Sequence, residues 1–305
     1  PTHSPTQITH PPYVVSSARL PHSPPASPCI LNSTDMSAQP IDGRGIAKEI
    51  LNRLKNEIVM EKLDIGFVAI LVGDNPASRI YIRLKERAAT ELGMRFERIH
   101  LEHGTSQDAL ETTIKHLNAR PDIHAILLQL PLPPHLNADT AIRLIDPEKD
   151  VDGFHPQHTI EPVLSQAVLM LIRSTGVNHR DHTATIVCNS PDVFAPPLIM
   201  ALEQHGITAY ATRPDSADAI HLAGSSDILI VAIGRPHFVT PEWVKPGATI
   251  IDIGINKKDG ATVGDVDPSV DAIAAWRTPV PGGVGPMTVA CVMQNAVTLA
   301  RRRSS

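Results

Sequence analysis

The chain has 305 residues, of which 42% are hydrophobic, so it is long enough for one large or two medium domains with a buried core. Its net charge of -5 gives no electrostatic footprint for nucleic acid. No apolar run approaches the ~20 residues of a membrane span. The three cysteines form no Cys-x-x-Cys pair, which argues against a disulfide framework or a zinc site. We therefore expect a cytoplasmic protein with no metal centre, no nucleic-acid partner and no membrane segment.

The first forty residues differ from the rest of the chain. They contain nine of the 28 prolines, many serines and no apolar periodicity. Such a segment cannot bury enough surface to offset its ordering entropy, so residues 1–40 are expected to form a disordered extension. A transit peptide is an open alternative, although such peptides are rich in arginine and this segment has only Arg19. The apolar region of a secretory signal is missing. Our hypothesis takes Met36 as the natural start and residues 1–35 as dispensable.

From Ile41 onward, helical and strand patterns alternate. Apolar residues recur at helical spacing in residues 43–63, and the following run GFVAILVG (66–73) is typical of a buried strand. The order α-β-α-β-α-β indicates a sheet wrapped by helices. The predicted elements are helix 43–63, strand 66–73, helix 76–92, strand 96–101, helix 106–119 and strand 124–131.

A second series begins after DGFHP (152–156) and predicts a small doubly wound domain. A last helix, 287–302, follows a Pro/Gly-rich connector and carries one apolar face, so we expect it to return to the first lobe. The predicted fold class is α/β with two lobes, the second Rossmann-like. The predicted elements of the second series are helix 164–175, strand 184–188, helix 196–205, strand 207–212, helix 216–223, strand 227–234 and strand 248–255.

Four stretches carry residues typical of functional sites, although each alone has a simple structural explanation. Tyr81 and Lys85 share one helix face, but such a pair is usually a packed ring and a solvated amine. Gln129 ends an apolar strand, at the edge where α/β proteins bind ligands. Asp150 and Asp152 lie in an acidic turn, and PVPGGVGPMT (279–288) is a rigid loop that serves as a binding loop or a hinge.

Together these motifs are far more specific. NPAS-x-x-Y-x-x-x-K, QLPLP, KDVDGFHP and PGGVGPMT, in this order, resemble the bifunctional methylenetetrahydrofolate dehydrogenase/methenyltetrahydrofolate cyclohydrolase family (FolD type). The resemblance runs from roughly Ile41 to Ala300. It implies oxidation of 5,10-methylenetetrahydrofolate with NADP to the methenyl cation, then hydrolysis to 10-formyltetrahydrofolate. It also implies tetrahydrofolate derivatives as partners and a homodimer.

The resemblance implies roles for residues of the first lobe. Lys85 would handle the proton in the hydrolysis, with Gln129 holding it and the attacking water. Tyr81 would line the pocket, and Asp152 would hydrogen-bond the amino edge of the pterin. One wall would be closed by Pro281, Gly282 and Gly283.

The second lobe departs from the family's pattern. Where the cofactor turn reads G-x-S-x-x-V-G-x-P, this chain has Cys188 and Phe194 at the two glycines, and Phe194 is expected to add bulk where phosphate meets backbone. The glycine expected after GRP is His237, and only Pro162 remains of a P-C-T-P-x-G motif. The implied cofactor-binding residues are Cys188 and Asn189 by position, with Ser190, Arg213 and Ile255.

Three hypotheses follow from a first lobe that matches the family's pattern and a second lobe that departs from it. The first is a bifunctional NADP-dependent enzyme, the second a cyclohydrolase that has lost its dehydrogenase, and the third a non-catalytic paralogue that binds folate or pairs with an active subunit. The predicted domains are the extension 1–40, a folate-binding catalytic domain of residues 41–156 plus 284–305, and an NADP-binding domain of residues 157–283.

Overall fold

Two parallel sheets organise the chain in this computed structural model, which describes residues 37–304. The proposed start at Met36 and residues 1–36 of the predicted extension lie outside the described residues. Residues 37–40 differ from the prediction, because Gln39–Pro40 form strand β1. Ala38 and Gln39 donate backbone hydrogen bonds to Asp271 and Ala275, which holds this segment on the second sheet. A disordered extension therefore cannot reach to residue 40.

The first lobe is a three-stranded parallel sheet in the order β3-β2-β4, covered by helices. Strand β2 lies in the middle and all seven of its residues are buried, as its continuous apolar run predicts. The structure adds helix α4, which carries too short a pattern to be recognised in the sequence. The elements are α1 (Gly43–Glu61), β2 (Gly66–Val72), α2 (Pro76–Glu91), β3 (Arg95–Leu101), α3 (Gln107–Ala119), β4 (Ala125–Leu128) and α4 (Ala138–Leu144).

The second lobe is a six-stranded parallel sheet in the order β1-β11-β8-β7-β5-β6, with helices connecting its strands. This confirms the predicted α/β, doubly wound class. A small antiparallel hairpin of β9 and β10 follows β8. The elements are α5 (Val163–Ser174), β5 (Thr183–Cys188), α6 (Pro191–Phe194), α7 (Pro196–Gln204), β6 (Thr208–Thr212), α8 (Ala219–Ser225), β7 (Ile228–Ala232), β8 (Thr249–Asp252), β9 (Asn256–Lys258), β10 (Ala261–Val263) and β11 (Trp276–Arg277).

The last helix, α9 (Val284–Ser304), returns to the first lobe, as its apolar face predicts. It packs against α1, α2 and α5. One buried apolar cluster accordingly contains Ile50 of α1, Ala290 of α9 and Ile186 of β5. Within residues 37–304, no helix is long and apolar enough to cross a membrane.

Candidate active site

Helix α2 presents a buried face to the end of strand β4. The helix begins where the side chain of Asn75 accepts a hydrogen bond from Ser78 N (3.1 Å), with Pro76 in the first turn. Ser78, Ile82 and Lys85 follow at i, i+4 and i+7 and are all buried, so they share one face. Ser78 Oγ donates to Leu130 O at 3.4 Å, which ties the start of the helix to the loop after β4.

This face brings Lys85 and Gln129 together, as the resemblance implies. Lys85 is only 7% exposed, and its Nζ donates to Gln129 Oε1 at 3.2 Å. Gln129 Nε2 in turn donates to Leu130 O at 2.8 Å, so the amide has a fixed orientation. Burial lowers the pKa of Lys85, and the negative charge of Asp152 opposes that shift. An amine in this state releases its proton more easily than a solvated lysine does.

Asp152 is the second charged group of the site. It is 8% exposed, and within residues 37–304 its carboxylate accepts no hydrogen bond from side chain or backbone. Burial raises the pKa of Asp152 to about 6, opposed by the positive charge of Lys85. A buried carboxylate without a donor is costly, so this one is suited to accept hydrogen bonds from a ligand.

The other charged residues of KDVDG build the loop that carries Asp152. Lys149 is 1% exposed, and its Nζ donates to the carbonyls of Leu117 (3.2 Å), Asn118 (2.7 Å) and Arg120 (2.7 Å), at the C-terminal end of α3. Asp150 Oδ2 accepts from His155 N at 2.7 Å. Lys149 and Asp150 therefore make their hydrogen bonds within the protein. Of the three residues, only Asp152 is available to bind a ligand.

Gly153 and Asn295 hold this loop in place. Gly153 has φ +72°, and a Cβ there would lie 2.9 Å from Pro162 Cα, so only glycine fits. Asn295 of α9 donates through Nδ2 to Val151 O (3.1 Å) and Glu161 O (3.3 Å). The last helix thus fixes the loop from the side of the core. The sequence shows Asn295 only as a polar residue within an apolar helix.

Tyr81 and the Pro281–Gly283 turn complete the predicted first-lobe set. Tyr81 is half-buried one turn before Lys85, and burial raises the pKa of its hydroxyl. The turn packs on the start of α1, because a Cβ on Gly43 would overlap Gly283 O. Gly282 has φ +122°, a backbone conformation that favours glycine. Within the described residues, no hydrogen bond joins this turn to Lys85, Gln129 or Asp152.

The predicted cofactor residues lie along the carboxyl edge of the second sheet. Strands β5, β6, β7 and β8 are parallel, so Cys188, Arg213 and Ile255 follow or end strands at the same edge. Asn189 Nδ2 donates to Ile233 O at 2.6 Å, which connects the ends of β5 and β7. Burial raises the pKa of the Cys188 thiol, opposed by the Ser190 amide and by Arg213, which places the guanidinium near the end of β5.

The two residues that replace glycines pack into the core. Cys188 is 1% exposed and belongs to the main apolar cluster, and Phe194 at the end of α6 packs against the same cluster. This packing directs part of the Phe194 ring toward the core, and the expectation that it adds bulk beside the phosphates stays a prediction. Its neighbour Val193 is 81% exposed. The substituted turn leaves Asn189 and Ser190 exposed at the strand end.

Two buried aspartates that sequence reasoning missed shape the same edge. Asp265 accepts backbone hydrogen bonds from Ile233, Gly234 and Arg235 at 2.6–2.9 Å. Asp252 accepts from the amides of Gly254, Asp265 and Val266 at 2.9–3.1 Å, and burial raises its pKa to about 6. A Cβ on Gly254 or on Gly264 would overlap one of these carboxylates. The motifs DIGIN and VGDVD therefore form one loop scaffold.

His237 occupies the position where a glycine was expected. Its φ is +57°, so the backbone keeps the left-handed conformation that glycine adopts without cost. His237 N donates to Gly264 O at 3.1 Å, and the ring nitrogen Nδ1 lies 3.2 Å from Lys258 Nζ. The histidine thus adopts the backbone conformation that glycine favours and hydrogen-bonds within the loop.

The residues at this edge fit a dinucleotide with a phosphorylated ribose. Ligands of open parallel sheets bind outside the carboxyl ends of the strands, and an arginine there suits a 2′-phosphate. Arg213 is exposed, and among residues 37–304 its side chain has no ion-pair partner. The exposed Asn189 and Ser190 lie after β5, where the phosphates are expected.

Comparison with known proteins agrees with this geometry. Residues 41–152 match the family model of the tetrahydrofolate dehydrogenase/cyclohydrolase catalytic domain, and residues 162–304 match its NAD(P)-binding domain. The bifunctional protein FolD of Xanthomonas axonopodis pv. citri is 44% identical, and the alignment covers 87% of this chain and 92% of that protein. Bifunctional protein FolD 2 of Myxococcus xanthus is 38% identical, over 88% of this chain and 97% of that protein.

Solved structures give the same result. The FolD methylenetetrahydrofolate dehydrogenase/cyclohydrolase of Campylobacter jejuni matches with a TM-score of 0.83 and 32% identity, over 88% of this chain and 100% of that chain. The Trypanosoma brucei enzyme, solved with NADP cofactor and an inhibitor, matches with a TM-score of 0.81 and 33% identity, over 87% and 98% of the two chains. Sequence, fold and site geometry agree, and the chain belongs to the tetrahydrofolate dehydrogenase/cyclohydrolase family.

Proposed function

We propose that the protein oxidises 5,10-methylenetetrahydrofolate to the 5,10-methenyl cation with NADP and then hydrolyses the cation to 10-formyltetrahydrofolate. The observation that carries this proposal is the buried Lys85, hydrogen-bonded to Gln129 and coupled to the unbonded carboxylate of Asp152. The 44% identity to a bifunctional FolD protein supports both half-reactions. The burial of Cys188 and the packing of Phe194 against the apolar cluster support a turn that still accepts the cofactor.

The second lobe provides the oxidant. Bound NADP supplies the acceptor for the hydride that leaves the methylene carbon of the folate. Arg213 would bind the 2′-phosphate as a charge-assisted pair, and Asn189 and Ser190 would contact the phosphates that follow β5. Cys188 has a structural role here, because its thiol is buried. Ile255, which is 52% exposed after β8, offers an apolar surface to the cofactor.

The hydrolysis needs one group to move a proton. Water that attacks the methenyl carbon must lose a proton, and the ring nitrogen must gain one as its bond to that carbon breaks. Lys85 serves both transfers because burial brings its pKa down from the ordinary value. The cationic substrate lowers that pKa further by repulsion. Gln129 keeps the amine and the water in position through its fixed amide.

The remaining first-lobe residues bind the folate. Asp152 accepts hydrogen bonds from the amino edge of the pterin, which satisfies a buried carboxylate without a donor in the protein. Tyr81 lies one helical turn from Lys85 and lines the pocket with its ring. The Pro281–Gly283 turn forms a wall between α1 and α9.

The proposal includes a homodimer. Strand β6 is an edge of the six-stranded sheet, and Tyr210 on it is 47% exposed; Met200 on the neighbouring helix α7 is 48% exposed. An exposed edge with apolar side chains is suited to pair with a second copy. Sedimentation equilibrium should give twice the chain mass, and Tyr210→Lys should shift the protein toward the monomer.

The domain boundaries and the location of the protein are part of the proposal. We assign residues 41–156 and 284–305 to the catalytic domain and 157–283 to the cofactor domain, because α9 packs on α1 and α2. Protease cleavage of the native protein is expected first between residues 156 and 163. A cytoplasmic location is supported by the free thiols of Cys188 and Cys291, and cell fractionation tests it.

Two assays on the purified protein test the function. Reduction of NADP in the presence of 5,10-methylenetetrahydrofolate tests the dehydrogenase, and hydrolysis of supplied methenyltetrahydrofolate without nucleotide tests the cyclohydrolase. Activity in both supports the proposal. Hydrolysis without NADP reduction would leave the cyclohydrolase alone, and inactivity in both would leave a non-catalytic paralogue.

A further inference from the structure

An exposed arginine follows strand β7 at the edge of the second sheet where the cofactor is expected. Arg235 lies three residues beyond the end of β7, and among residues 37–304 its side chain has no ion-pair partner. Strands β5 and β7 are paired, which places their ends ~4.8 Å apart. Asn189 Nδ2 donates to Ile233 O at 2.6 Å, so the backbone two residues before Arg235 contacts the substituted cofactor turn.

Arg235 is anchored through its backbone and its side chain. Gly234 has φ +73°, and the Arg235 amide donates to Asp265 Oδ1 at 2.8 Å. The guanidinium carbon lies 5.1 Å from the centre of the Phe238 ring, whose centroid is 5.4 Å from that of Trp243. Within the part of the chain that the structure describes, the guanidinium donates no hydrogen bond. Its donors are therefore available to a ligand.

The cofactor turn itself carries no positive charge. Its residues Cys188, Asn189 and Ser190 are neutral. Helix α6, which follows them, has only four residues, and Asp192 adds a negative charge in its first turn. A pyrophosphate bound at this turn would bring negative charge that the turn does not balance. Arg213 follows β6, on the opposite side of β5 from β7, so it is suited to a different phosphate of the cofactor.

We propose that Arg235 binds the pyrophosphate of the dinucleotide and supplies the positive charge that the turn lacks, an inference that rests on the proposed dehydrogenase activity. A guanidinium donates paired hydrogen bonds to phosphate oxygens, and these charge-assisted bonds are stronger than neutral ones. Stacking on Phe238 restricts the side chain before the ligand arrives, which lowers the entropy lost on binding. NADP and NAD share the pyrophosphate, so Arg235 contributes to the affinity for both, whereas Arg213 acts on the 2′-phosphate alone.

The test separates the two phosphate groups with fragments of the cofactor. ADP-ribose carries the pyrophosphate without the 2′-phosphate, and adenosine 2′-monophosphate carries the 2′-phosphate without the pyrophosphate. In calorimetric titrations, Arg235→Gln should weaken the binding of ADP-ribose, NADP and NAD by about tenfold each and that of adenosine 2′-monophosphate by less than about twofold. Arg235→Lys, which keeps the positive charge, should recover most of the loss.

The matched control is Arg180→Gln. Arg180 is exposed in the same lobe, but it precedes β5 and therefore lies at the opposite edge of the sheet. This variant has the same net charge as Arg235→Gln and should bind ADP-ribose as the native protein does. Unchanged ADP-ribose affinity in Arg235→Gln, or an equal loss in Arg180→Gln, would overturn the inference. If the native protein bound neither ADP-ribose nor NADP, the proposed dehydrogenase would fail, and the inference with it.

Discussion

Lys85 Nζ donates to Gln129 Oε1 across 3.2 Å, from a helix to the end of a strand 44 residues away. The amide is oriented by its second bond to Leu130 O, so its oxygen faces the lysine. The nearby Asp152 favours the ammonium form, whereas burial favours the neutral amine and is the larger effect on the pKa of Lys85. This balance suits a group that must both take up and release a proton.

Replacing the lysine tests its proton transfer. Lys85→Gln should lower kcat for methenyltetrahydrofolate hydrolysis by at least ~100-fold, because a positioned general acid–base contributes about 10²–10⁴ in rate. Folate affinity should change by less than about threefold, since the amide still hydrogen-bonds. Steady-state hydrolysis kinetics and a folate titration provide the measurements. Lys115→Gln, at a lysine that is 61% exposed on α3, is the control, and unchanged turnover in Lys85→Gln would remove the lysine from the mechanism.

Asp152 is expected to act mainly in folate binding. Asp152→Ala should weaken folate affinity by about 10–100-fold, because each hydrogen bond to a charged group contributes roughly 1.5–3 kcal/mol. Calorimetric titration with a folate measures the effect. Asp139→Ala, at an aspartate that is 70% exposed, should leave affinity unaltered. The same affinity in native protein and Asp152→Ala would place the pterin elsewhere.

The pH dependence of folate binding follows from the same carboxylate. Burial raises the pKa of Asp152 to about 6, so the residue is ionised above that pH and protonated below it. Because the pterin donors need the ionised form, affinity should be constant above about pH 6 and fall toward tenfold per pH unit below it. In Asp152→Asn this loss of affinity at low pH should disappear. The same loss in both proteins would mean that another group titrates.

Arg213 should decide the choice of nucleotide. Arg213→Gln should weaken NADP binding by about 10–100-fold through loss of the charge-assisted pair with the 2′-phosphate. Binding of NAD, which lacks that phosphate, should stay within about twofold. Fluorescence titrations with both nucleotides measure the ratio. Equal losses for NADP and NAD would indicate a structural role for Arg213.

Asn295 should stabilise the fold through the loop it holds. Asn295→Ala removes the donor of two hydrogen bonds and leaves the carbonyls of Val151 and Glu161 without it. The free energy of unfolding should fall by about 2 kcal/mol, measured by urea denaturation. Gln294→Ala changes the adjacent residue, whose side chain pairs with exposed Arg53, and should cost less than ~0.5 kcal/mol. Equal stability of the two variants would contradict the stabilising role of the Asn295 hydrogen bonds.

The sequence predicts the long elements well because their signals are local. Asn75, Pro76 and Gly93 bracket α2, and the helix begins at Pro76 and ends at Glu91, within a residue of the predicted range. Strands β1 and β9 to β11 have only two or three residues and were not predicted, because so short a run carries no periodicity. Their pairing depends on distant neighbours, such as β1 with β11.

The candidate site is also only partly predictable from the sequence. The resemblance to the family points to Lys85, Gln129 and Asp152, and the structure brings the first two into contact. The acidic turn alone does not separate Asp150 from Asp152, and the resemblance selects Asp152. The fold supplies the physical reason, because His155 N donates to the Asp150 carboxylate. The sequence does not show that Phe194 packs against the apolar cluster, since the direction of a side chain in a turn depends on the core beneath it. The roles of Asp252 and Asp265 depend on backbone amides far along the chain.

The most direct test of the account is a single turnover of 5,10-methylenetetrahydrofolate by excess protein with NADP, with both products quantified in the same sample. The account predicts equal amounts of NADPH and 10-formyltetrahydrofolate from the native protein. It predicts NADPH with accumulated methenyltetrahydrofolate from Lys85→Gln. Absence of NADPH from the native protein, or unimpaired hydrolysis in Lys85→Gln, would contradict it.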